Sequence, residues 1–132
     1  MKCLIVEDDR VSSQVLEKMV SRHGSYDTAD NGAMALELFR NVQGSDSPYH
    51  LVLMDIMMPA VDGLQSALRI RQMEESLGVN LARRVKIIMT TALDDPRTIM
   101  KALYESDADS YLIKPIRLQS LEDEMRALNL IS

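Results

Sequence analysis

Leu51-Val52-Leu53-Met54-Asp55 is the stretch that decides the fold: four apolar residues in a row, with no polar alternation, closed by one carboxylate. A strand with one face in water alternates apolar and polar side chains. An unbroken apolar run therefore reads as a strand covered on both faces, as in a parallel sheet flanked by helices. Val85 to Thr90, with Ile87-Ile88-Met89 at its centre, repeats the pattern. Outward from these two, shorter apolar runs predict strands over Lys2 to Glu7, Tyr26 to Ala29 and Ser110 to Ile113. Stretches of helical period separate them, so the chain reads as five strand-helix rounds of an α/β protein.

The intervening helices carry apolar residues three and four apart, and each stripe is expected to pack against the sheet. The stripes are Val11, Val15, Leu16 and Met19; Ala33, Leu36, Leu38 and Phe39; Leu64, Ala67, Leu68 and Ile70; Ile99, Met100 and Leu103; and Leu118, Leu121, Met125 and Leu128. Most of the ten methionines are expected in the core. Asp9, Asn31 and either Asp94 or Asp95 are candidate N-caps, and Pro96 suits a first helical turn. Gly44 to Pro48 reads as a surface loop, and Gly78 to Arg84 as a lengthened connection.

A chain of 132 residues is enough for one core, and one domain over residues 1–132 is expected. Apolar residues at 46% and charged residues at 27% exclude disorder and fibrous repeats. Cys3 has no partner cysteine, which rules out an internal disulfide and suits a reducing compartment. No run approaches the roughly 20 apolar residues of a spanning helix, and the first run meets acids too early for a signal peptide. A cytoplasmic protein without membrane insertion is expected. The formal charge of -5 disfavours direct nucleic-acid binding, and Arg83, Arg84 and Lys86 form the only dense basic cluster.

Open parallel sheets bind ligands beyond the carboxyl ends of their strands, where the strand order reverses. The residues there are Glu7, Asp8 and Asp9 after the first strand, Asp55 after the third, Thr91 after the fourth and Lys114 after the fifth. Asp9 fits a cap in front of Arg10-Val11-Ser12. Glu7, Asp8 and Asp55 would bring three negative charges together, which is costly unless a cation sits among them. An all-oxygen donor set suits a hard, partly hydrated ion such as Mg²⁺, although helix capping alone also fits these residues. Lys114 supplies a compact positive charge, and its bond to Pro115 is a candidate for the cis isomer. Thr91 is placed to donate a hydroxyl hydrogen bond into the crevice, while Thr90 fits simple strand packing.

These residues resemble the receiver domain of bacterial response regulators, in particular the stand-alone chemotaxis type. The markers are Leu4-Ile5-Val6-Glu7-Asp8-Asp9, Leu51 through Pro59 with Asp62-Gly63, Ile87-Ile88-Met89-Thr90-Thr91-Ala92, and Tyr111-Leu112-Ile113-Lys114-Pro115. The resemblance spans essentially the whole chain. It implies a doubly wound, flavodoxin-like sheet of strand order 2-1-3-4-5, and a switch rather than an enzyme acting on other molecules.

By position, the resemblance makes Asp55 the phosphoacceptor. Mg²⁺ would be bound by Asp8, Asp55 and the Met57 backbone carbonyl, with Glu7 acting through a metal-bound water. Lys114 and Thr91 would contact phosphoryl oxygens. Tyr111, otherwise an ordinary half-buried tyrosine, would turn inward on activation, and the face from roughly Pro96 to Leu128 would meet partners.

The implied partners are a sensor histidine kinase or phosphotransfer protein and a downstream protein, with the chain a monomer or a phosphorylation-dependent homodimer. A phosphorelay intermediate and a degenerate, unphosphorylated receiver are the alternatives. A haloacid-dehalogenase phosphatase would need an aspartate where Met57 stands, and a flavodoxin would need a Ser/Thr/Gly-rich loop where Glu7-Asp8-Asp9 stands. Two departures from the family pattern stand out. The segment Ser106-Asp107-Ala108-Asp109 stands where many relatives have a Gly-Ala pair, and aspartate tolerates a left-handed turn less easily than glycine, which leaves the loop geometry open. Met57 and Leu93 put apolar side chains two residues after Asp55 and Thr91, and are expected to shield an acyl phosphate from water.

Overall fold

The computed structural model describes residues 1–58, 62–92 and 94–132. Five strands, β1 (Lys2–Val6), β2 (Ser25–Ala29), β3 (Leu51–Asp55), β4 (Lys86–Thr91) and β5 (Ser110–Ile113), alternate with helices α1 (Arg10–Ser21), α2 (Gly32–Val42), α3 (Gly63–Ser76), α4 (Pro96–Ser106) and α5 (Leu118–Ala127). All strand pairs are parallel, in the order β2-β1-β3-β4-β5. The order reverses between β1 and β3, so the crevice opens at their carboxyl ends.

All five residues of β3 are buried, as the unbroken apolar run requires. Alternation along the strands divides the core in two. Leu4, Val6, Val52, Met54, Ile87 and Met89 face α2, α3 and α4. Cys3, Ile5, Leu51, Leu53, Ile88 and Leu112 face α1 and α5.

Asp9, Asn31 and Asp95 cap α1, α2 and α4 through their side chains, and Asp62 caps α3. Gly63 is required where α3 starts: its amide donates to the Ile56 carbonyl at 3.0 Å, and a β-carbon there would lie 2.0 Å from the Asp55 carbonyl oxygen. The 78–84 connection is ordered by a short 3-10 turn over Leu81–Arg83.

Several expected core residues are exposed. Helix α1 turns Ser13, Leu16 and Val20 to the sheet and leaves Val11 and Val15 at 67% and 44% exposure. A helix with two adjacent apolar stripes can seat only one against a flat sheet. Ala33, Met34, Leu68 and Met100 are exposed for the same reason, their helices packing through Ala35 and Phe39, through Ala67 and Ile70, and through Ile99 and Ala102.

Asp107 adopts the left-handed conformation (φ 55) that glycine would favour, as the C-cap of α4. The bridge from Arg84 to its carboxylate holds it there. Beneath it lies a buried polar cluster. Arg71 donates to the carbonyls of Asp107 and Val85 and to the carboxylates of Glu74 and Asp109. Glu74 accepts from the Val85 amide, and Asp109 from the Ile87 amide. Pairing of β4 with β5 begins only at Ile88, so these side chains take the backbone groups that no strand covers.

Candidate functional site

Strand register builds the pocket. Val6 pairs with Met54, which sets Glu7 beside Asp55 one step further on. Asp55 pairs with Thr90, and Thr91 with Ile113, the neighbour of Lys114. Period-two alternation carries Ile5, Leu53 and Leu112 on to Glu7, Asp55 and Lys114, so these three side chains leave the sheet on the α1/α5 side.

Carboxylate oxygens of Glu7, Asp8 and Asp55 lie within 4.8 Å of one another. Glu7 and Asp55 are 3% and 4% exposed, whereas Asp8 is open to solvent. Lys114 Nζ lies 2.5 Å from Glu7 Oε1 and 3.3 Å from Asp55 Oδ2. The Met57 amide donates to Asp55 Oδ1 at 3.1 Å, and the Asp9 amide to Glu7 Oε2 at 3.3 Å. Asp9 itself is engaged as the cap of α1, accepting from the Ser12 amide and hydroxyl. It is thereby set apart from the other acids.

Burial pushes the Glu7 carboxyl above its ordinary range; the neighbouring Asp55 adds to the rise and Lys114 opposes it. Burial works against the Lys114 charge, yet the hydrogen bond to Glu7 and the charges of Asp55 and Glu7 outweigh it and hold the ammonium above its usual value. Among the described residues, the Lys114 ammonium pairs with Glu7 and Asp55 only, so one positive charge stands against a cluster of three carboxylates. That surplus of negative charge, presented entirely by oxygen donors, fits a hard divalent cation.

Thr91 is fully buried at the end of β4, and its carbonyl accepts from the Lys114 amide at 2.7 Å. Tyr111 is half-buried, packs against the α2–α4 side of the core, and pairs with Met89 in the strand register. Since Met89 and Thr91 point the same way, Thr91 and Tyr111 share a face. The Lys114-Pro115 bond is cis. The Met57 side chain is 64% exposed, and Leu93 lies outside the described residues.

One feature escaped the sequence reading. Val11, Val15, Leu16, Pro115 and Ile116 form an apolar groove of about 390 Å³ that opens on Glu7 and Lys114. Its signal in the sequence is Val11 and Val15, which helical period alone assigns to the core.

A doubly wound sheet with an acidic triad and a lysine at its switch point defines a receiver-type signalling module. The profile of the response regulator receiver domain matches residues 3–126, and the chain belongs to that family, the receiver domains of two-component systems. It is 36% identical over 129 residues to the response regulator MprA of Mycobacterium avium, covering 97% of this chain and 50% of the relative. It is 31% identical over 124 residues to the osmosensing histidine protein kinase SLN1 of Saccharomyces cerevisiae, covering 92% of this chain and 10% of that protein. The chain therefore spans about half the length, or less, of these curated relatives.

Among solved structures, the receiver domain of the histidine kinase CKI1 from Arabidopsis thaliana, complexed with Mg²⁺ and BeF₃⁻, superposes with a TM-score of 0.82 at 27% identity, covering 97% of this chain and 89% of that one. The response regulator TrrA of Thermotoga maritima, in complex with Mg²⁺ and beryllium fluoride, gives 0.75 at 29% identity, covering 96% and 97%. Within the described residues, no helix is long and apolar enough to cross a membrane.

Proposed function

We propose that the chain is a phosphorylation-driven switch in which Asp55 accepts a phosphoryl group from a sensor histidine kinase or a phosphotransfer protein. The observation that carries this reading is the packing of Glu7, Asp8 and Asp55 within 4.8 Å around a carboxylate that Lys114 approaches to 3.3 Å. The relatives solved with Mg²⁺ and beryllium fluoride support it, because BeF₃⁻ on a carboxylate has the shape and charge of an aspartyl phosphate.

Asp8, Asp55 and the Met57 carbonyl would hold Mg²⁺, with Glu7 acting through water; when bound, the ion offsets the charge on the phosphoryl oxygens. An Asp55 carboxylate oxygen attacks phosphorus in line while the donor nitrogen leaves, so the protein contributes positioning and charge neutralisation. Lys114 binds one phosphoryl oxygen and Thr91 another. As Thr91 is drawn in, space opens on the face it shares with Tyr111, whose ring moves inward and alters the surface of α4, β5 and α5. A downstream protein, or a second copy of the chain in a phosphorylation-dependent dimer, reads that surface. The module catalyses only its own phosphorylation and dephosphorylation, in the cytoplasm. The apolar groove beside Glu7 and Lys114 gives a helix of the phosphoryl donor a seat next to the reacting atoms.

The similarity to histidine kinases of yeast and Arabidopsis thaliana favours one second reading, an intermediate in a phosphorelay that hands the group on to another histidine. Incubation with acetyl phosphate and Mg²⁺, followed by peptide mass spectrometry, tests the primary reading. One phosphoryl group on the peptide carrying Asp55, lost in Asp55→Asn, is expected; an unmodified Asp55 would instead mark a degenerate receiver.

A further inference from the structure

At the end of the sheet opposite the acidic pocket, the chain's only dense basic cluster has no part in the phosphoryl chemistry. There a groove of about 940 Å³ runs between the loop before β3, the connection from α3 to β4, and the turn after α5. Arg83, Arg84, Lys86 and His50 line it, and none of its lining residues is aspartate or glutamate. In a chain of twenty acidic and fifteen basic residues, a wall without a carboxylate is a local reversal of charge.

Arg84 is committed to Asp107 and lies 3.7 Å from Glu74. Arg83 and Lys86 form no ion pair among the described residues, and Arg83 is exposed. The Asn80 side chain caps the 3-10 turn that carries Arg83, and Lys86 opens β4, so both cations stand on fixed backbone.

The shape narrows the occupant. The groove is far larger than one phosphate needs, at the upper end of small-ligand sites. A nucleotide would want an aromatic ring to stack its base. Tyr49 in the wall is 4% exposed with its hydroxyl tied to Asp27, which leaves among the lining residues only the small imidazole of His50, held at Nδ1 by the Lys2 amide. Half-buried Val79, Leu128 and Leu130 supply apolar wall between the charges.

We propose that this groove docks an acidic polypeptide segment of a partner protein, with apolar residues spaced between its carboxylates and with Arg83 and Lys86 as its grips. None of its lining residues belongs to the acidic pocket, so docking requires neither phosphorylation nor Mg²⁺ and does not depend on the function proposed above.

Titrating the ¹⁵N-labelled chain with the peptide acetyl-Asp-Glu-Leu-Asp-Glu-Leu-amide is expected to shift the amide resonances of Arg83, Lys86 and Asn129. Affinity should collapse between about 0.01 M and 1 M salt, as the Debye length falls from roughly 30 Å to 3 Å. Arg83→Glu with Lys86→Glu should weaken binding at least about tenfold, which is roughly two surface ion pairs, while Arg69→Glu on α3 leaves it unchanged. Arg83→Gln with Lys86→Gln repeats the comparison without adding repulsion, and circular dichroism melts confirm that each variant folds. The proposal is overturned by shifts that avoid the groove, by equal affinity in the charge variants, or by ATP or pyrophosphate occupying the groove at concentrations where the peptide does not.

Discussion

The two ends of the sheet hold buried charge in opposite ways. At the amino ends of β4 and β5, Arg71 and Glu74 are 7% and 2% exposed, and their polar atoms are engaged by each other and by Asp107, Asp109 and Val85, while Asp109 also accepts from the Ile87 amide. At the carboxyl ends, Glu7, Asp8 and Asp55 crowd together with one lysine to offset them. Charges closed into a complete hydrogen-bonded set hold structure, whereas a surplus of one sign is a site waiting for an ion of the other sign. Deleting a charge at the two ends should therefore shift stability in opposite directions.

The largest effect is expected at the closed end. Arg71→Met leaves Glu74 buried without its partner and should destabilise the protein by about 3–5 kcal/mol in urea unfolding. A loss below about 1 kcal/mol would erase the contrast between the ends. At the open end, Asp55→Asn relieves repulsion and should stabilise the Mg²⁺-free protein by about 1 kcal/mol while abolishing phosphorylation.

The pH dependence follows from Glu7. Its pKa is raised in the folded state, so its contribution to stability is present below the unfolded pKa and is lost as pH rises through the folded one. Asp55→Asn should flatten that loss, and an unchanged profile would argue against their coupling. Met57→Asn with Leu93→Glu should shorten the lifetime of the phosphorylated protein several-fold, and equal decay would discard the shielding role of these side chains. The smallest effect is expected at Asp107→Gly. Relief of the left-handed backbone there is set against a bridge to Arg84 whose aspartate side is 62% exposed, and the net change should stay within about 1 kcal/mol by the same unfolding assay.

Much of this contrast could be read before folding. Unbroken apolar runs gave the parallel strands, and because each strand ends at the crevice, Glu7, Asp8, Asp55, Thr91 and Lys114 could be named from their places alone. The closed end was not legible. Charged residues on a helix read as surface, and nothing local to Arg71 or Glu74 reveals that β5 starts too late to cover Val85 and Ile87. The exposed stripe of Val11 and Val15 was equally hidden. Periodicity marks an apolar face but does not say which of two adjacent faces the sheet takes.

The claim that the acidic end is held for a divalent ion is tested most directly by measuring unfolding free energy with and without Mg²⁺. At about a hundred times the dissociation constant, Mg²⁺ should stabilise the wild type by about 2.7 kcal/mol, and Asp8→Asn should lose most of that gain. Identical unfolding curves for the wild type with and without Mg²⁺ would contradict the account.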